Sequence, residues 1–108
     1  MTEADAQRTA ELLLSRYCLR GWRVVLTPAV RSKYGKPLYS KCDLALKEIV
    51  LATGRLHDDV KTVDNLLHEI AHALACEEGN TPTFYKLLNS LRSEYKRAPV
   101  YISYPRPA

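Results

Sequence analysis

Cysteine is scarce and scattered. Cys18, Cys42 and Cys76 are the only three in 108 residues, and no two of them form a CxxC pair. Such an odd, widely spaced set supports neither a disulfide framework nor a zinc ribbon, and it suits a reducing compartment. Apolar runs are short, far from the roughly 20 residues that a membrane-spanning helix needs, so no membrane partner is expected. The opening residues, Met1 to Gln7, have neither the basic start nor the apolar stretch of a secretory signal. The expectation is a cytoplasmic protein, or a nucleoid or nuclear one if it works on DNA. Glycine is limited to four residues, and there is no internal repeat or low-complexity segment.

What remains is an ordinary soluble composition, 46% hydrophobic and 26% charged, in a 12.3 kDa chain. That size predicts one domain and a monomer, burying roughly 60–65% of the surface its unfolded chain exposes. The net charge of +4 is mildly basic, compatible with a polyanionic partner but spread too thinly to demand one.

Apolar residues at Ala6, Ala10, Leu13, Leu14 and Tyr17 mark one face of a helix from Thr2 to about Arg20, with Gly21 placed to end it. Trp22 to Val30 turns β-branched and aromatic and reads as a strand. Ser32 to Pro37 is a basic turn, and Leu38 to Asp43 and Glu48 to Ala52 are two further short strands. A second helix is expected from about Asp58 to Glu78, stopped by Gly79, and a third from Pro82 to about Arg97. Thr81-Pro82 opens the third as N-cap and first-turn proline, and Pro99 closes it. The order predicts an α+β domain: an N-terminal helix, a three-stranded sheet and two helices.

The second helix carries His68-Glu69-Ile70-Ala71-His72, an HExxH. Histidines four apart project from one helical face, so both imidazoles can reach one zinc ion at about 2.0–2.1 Å. Glu69 sits about 100° around the helix, placed to act on a water as general base without being a ligand. Zn²⁺ is the cofactor this pattern implies, with His68 and His72 as ligands and Glu69 catalytic.

The stretches Lys41-Cys42-Asp43, Glu48 to Ala52 and Thr62 to Leu74, together with the Gly21-Trp22 entry to the first strand, resemble the SprT-like (Spartan-related) zinc metalloproteases, which are HExxH zincins. The resemblance covers most of residues 1–108. It implies a small zincin-like domain that hydrolyses peptide bonds in protein substrates, with DNA as a further partner. In that family a loop of the form His-Gly-x-x-Phe supplies the third zinc ligand. Asn80-Thr81-Pro82-Thr83-Phe84 matches it here, and so Asn80 falls on the third-ligand position with only a neutral amide oxygen to offer. Glu94, Glu78 and His57 are the alternatives. Two readings stay open: a zinc-dependent metallopeptidase, or a catalytically impaired SprT-like domain that binds nucleic acid or protein.

Arg31, Lys33 and Lys36, with Lys41 and Arg55, gather around the strand connections. They are either a solvated face or a phosphate-contacting surface, with Tyr34 and Tyr39 able to stack on bases. The tail from about residue 98 to 108 reads either as a loose extension or as a strand laid over the cleft.

Overall fold

The computed structural model describes residues 1–100. Helix α1 spans Glu3–Arg16, opened by a capping box in which the Thr2 hydroxyl accepts from the Asp5 amide and the Asp5 carboxylate accepts from that of Thr2. Strand β1 (Arg23–Thr27) follows, then a small hairpin of β2 (Val30–Arg31) and β3 (Pro37–Leu38). Strands β4 (Ser40–Asp43) and β5 (Glu48–Ala52) lead through a single 3₁₀ turn to α2 (Asp59–Ala75) and α3 (Pro82–Arg97).

The main sheet has the order β1-β5-β4, with β1 parallel and β4 antiparallel to β5. Ile49, Val50, Leu51 and Ala52 are all buried, the continuous apolar run that a strand covered on both faces requires. Strand β5 is therefore the sheet's centre, and the edge beside the HExxH helix is β4. The expected strand from Trp22 to Val30 is divided by Pro28, which cannot donate to a ladder, so Val30 joins the hairpin instead.

One face of the sheet is covered by the helices. Ala6, Ala10, Leu13 and Leu14 of α1, Val63, Leu66, Leu67, Ile70 and Ala71 of α2, and Phe84, Leu88 and Leu91 of α3 close on Val24, Ile49 and Leu51 in one buried cluster. An α+β fold results, as the element order predicts. A bidentate ion pair ties α2 to α3: Arg92 Nε and Nη2 donate to the two Asp64 oxygens at 2.7 and 2.9 Å. At the far end the Tyr17 hydroxyl donates to Glu94 at 2.8 Å, fastening the exit of α1 to α3.

Two helix ends depart from expectation. Helix α1 stops at Arg16, with Cys18 in the left-handed region, ahead of Gly21. Helix α2 stops at Ala75 because Cys76 turns left-handed at φ 54°, three residues before Gly79. Helix α3 has the expected bounds, with the Thr81 hydroxyl accepting from the Phe84 amide and Pro82 in the first turn. The expectation of a loose or cleft-covering tail falls largely on residues 101–108, outside those described.

Candidate metal centre

Periodicity places His68 and His72 one turn apart on α2, with apolar neighbours Leu67, Ile70 and Ala71 buried beneath them. Their Nε2 atoms lie 3.2 Å apart. Two nitrogens each about 2.0–2.1 Å from a tetrahedral ion would be separated by about 3.3 Å, so the pair fits a shared zinc. Among the described residues, His68, Glu69 and His72 form the cluster whose donor atoms all fall within 4.8 Å of one another.

The orientation of His72 is imposed from outside the motif. Cys76 reverses the chain, its own amide donating to Ala73 and that of Glu77 to His72. The Glu77 carbonyl then meets His72 Nδ1 at 2.9 Å. A carbonyl can only accept, so Nδ1 carries the proton and Nε2 is left with its lone pair toward the cleft. Phe84, fully buried at the start of α3, stacks on the His72 ring at 4.0 Å and 14°, and meets His68 edge-on at 4.8 Å. Burial lowers both imidazole pKa values, in His68 with help from its neighbour His72 and from Arg92. Both rings are thus held neutral, the state in which they bind metals.

Glu69 is 6% exposed. Burial raises its pKa from 4.5 to about 7, and the Ser40 hydroxyl, donating to Oε2 at 2.6 Å, opposes the rise. The first residue of β4 therefore holds one carboxylate oxygen and leaves Oε1 for a reactant. Burial also pushes the neighbouring Cys42 thiol up to about 12, with carboxylates at Glu69, Asp43 and Glu78 adding to the shift.

These groups line a cleft of about 610 Å³. Its walls are the hairpin (Arg31, Ser32, Lys33, Leu38), the edge strand (Ser40 to Asp43), α2 (His68, Glu69, His72) and Glu78. The other predicted positions distribute unequally. Glu78 lies in the cleft, and its charge reaches His72. Asn80 is exposed in the loop before α3 and does not line the cleft. Glu94 lies on the far face of α3, bonded to Tyr17, and His57 is exposed in the turn before α2; neither lines the cleft. Arg31 and Lys33 are on the cleft wall, and Lys36 is exposed in the hairpin turn outside it.

Sequence reasoning missed Ser40, the Glu77 carbonyl and Asp64. Only Asp64 left a signal, as an acid one turn before His68 on the same face. Ser40 and Glu77 act through tertiary contacts that no local spacing encodes.

No family model matches the chain, and no curated protein matches it. Among solved structures, the metallopeptidase zymogen abylysin of Pyrococcus abyssi superposes with a TM-score of 0.57 at 15% identity, covering 93% of this chain and 98% of that one. At that identity the likeness is one of fold alone.

Proposed function

We propose that the chain is a zinc-dependent metallopeptidase that hydrolyses peptide bonds in its cleft. The observation that carries this is the convergence of two neutral imidazole Nε2 atoms, 3.2 Å apart, with a buried carboxylate beside them. A bound zinc would polarise the scissile carbonyl and acidify the attacking water. Glu69 Oε1 takes the proton from that water and returns it to the leaving amine, while Ser40 keeps Oε2 in place. The outer edge of β4 offers main-chain groups to an extended substrate strand. The abylysin likeness supports a peptidase fold, and the resemblance to SprT-like proteases narrows the reading to a protease of that type.

Glu78 is the third donor we favour. It lines the cleft with both histidines and its charge acts on His72, whereas Glu94 is engaged with Tyr17 and Asn80 stands outside the cleft. The exposed Glu78 carboxylate lies outside the His68–Glu69–His72 cluster and would swing in to reach the ion. A carboxylate beside two imidazoles is a zinc-compatible set.

The test is metal per chain after dialysis against a mild chelating competitor, followed by hydrolysis of unstructured protein. Near-stoichiometric zinc is expected, lost in His72→Ala and weakened at least tenfold in Glu78→Gln, with Glu94→Gln and Asn80→Ala unchanged. Glu69→Gln should keep its zinc and lose activity by about 10²-fold or more. A zinc-free chain, or full activity in Glu69→Gln, overturns the reading and leaves the binding-module alternative.

A further inference from the structure

The cleft's charge is unevenly placed. Arg31 and Lys33 of the hairpin line the cleft. Lys41 of the edge strand, which also lines it, projects from the sheet face that carries the hairpin, since its neighbours Ser40 and Cys42 turn toward α2. All three are exposed, and among the described residues none is in an ion pair. Arg31 is held in position by its own hairpin, Nη1 donating to the Gly35 carbonyl at 3.1 Å. The Ser32 hydroxyl braces the same turn by accepting from the Tyr34 and Lys36 amides at 3.3 and 3.1 Å. The backbone that carries Arg31 and Lys33 is thus a braced turn on the cleft's rim, and the ordering cost of using the cations is confined to their side chains.

We propose that this rim selects peptide segments bearing acidic side chains on the side of the scissile bond that lies against the β2–β3 hairpin. The inference rests on the peptidase reading of the cleft and supplies its substrate class. A bound strand along β4 would pass Lys41 and then the hairpin, with residues of one face spaced about 6.6 Å apart, so alternate acidic side chains meet successive cations. Beyond Lys41 the strand runs to Asp43, and Glu78 also lines the cleft. These carboxylates interrupt the continuous cationic track that a phosphate backbone follows. The aromatics that could stack on bases, Tyr34 and Tyr39, do not line the cleft, and the Tyr39 ring is covered by Arg55 at 4.5 Å. An acidic peptide fits this arrangement better than a nucleic acid does.

The experiment measures binding and cleavage separately. Zinc-loaded Glu69→Gln protein, which holds substrate without turning it over, is titrated with fluorescent peptides of one length, rich in Asp and Glu, in Asn and Gln, or in Lys. A single-stranded oligonucleotide of matched charge is the fourth probe. Binding of the acidic peptide about tenfold tighter than the neutral one at low salt, shrinking as salt rises, is expected. Adding Lys33→Glu and Lys41→Glu should abolish that preference, while Lys86→Glu, on α3 outside the cleft, should leave it intact. Equal binding of acidic and neutral peptides overturns the proposal, as does tighter binding of the oligonucleotide or indifference to the reversed charges. Acidic preference without cleavage by the unsubstituted chain supports the rim and overturns the peptidase reading. Cleavage without charge preference does the reverse.

Discussion

Glu69 shows what a buried acid costs a fold. Its carboxyl is held near 7 by burial, against an ordinary 4.5, so the folded metal-free chain binds this proton more tightly than the unfolded chain does. Stability from this group is therefore fullest below about pH 4.5 and is lost as pH rises toward 7. The loss is on the order of 3 kcal/mol. Urea unfolding of the chelated protein at pH 5.5 and pH 8 should show Glu69→Gln gaining on the unsubstituted chain at the higher pH. A gap that is constant with pH would mean that the carboxylate is solvated. Cys42 offers a second reading at this scale. With its thiol pushed up to about 12, it should alkylate far more slowly at pH 8 than the exposed Cys18 and Cys76, as peptide mapping after timed iodoacetamide treatment would report.

At the scale of elements, helices were more legible than their ends. Ala6, Ala10, Leu13 and Leu14 gave α1 by period alone, and Thr81-Pro82 fixed the start of α3 because cap and proline are local chemistry. The end of α2 was misread because Gly79 is the cheaper left-handed residue, yet the chain turns at Cys76. A non-glycine residue there costs about 1 kcal/mol. The turn brings the Glu77 carbonyl onto His72 Nδ1, a contact invisible to any reading of helix propensity. The cap is thus part of the candidate metal centre. Cys76→Gly should raise stability by about 0.5–1 kcal/mol and keep zinc affinity. Cys76→Val, whose branched Cβ resists the left-handed region, should lower both, with affinity falling at least tenfold as His72 loses its brace. Equal affinities in the two variants would show that the Glu77 contact does not orient the ring.

For the whole molecule, the sequence order yielded the layers but not the strand order. Nothing in Glu48–Ala52 alone says that it takes β1 on one side and β4 on the other; the two ladders show it, and the burial of four successive residues from Ile49 to Ala52 goes with that central place. That arrangement makes β4 the edge, puts Ser40 on Glu69 and the hairpin over the cleft, and so joins three sequence-distant segments around α2. The proposed ligands tie α2 to the loop after it, with Ser40 of β4 joined to the same site through Glu69, so zinc should stabilise the fold as a unit. At a free concentration about 100-fold above its dissociation constant, a ligand specific for the folded state adds about 2.7 kcal/mol. For a chain of this size, that corresponds to a rise in Tm on the order of 10 °C. Differential scanning calorimetry with buffered zinc should show the rise, its reversal by a chelator, and its absence in His68→Ala. A Tm that ignores zinc, in a protein that nonetheless retains the metal, would mean that the unfolded chain binds the ion as tightly as the folded one does.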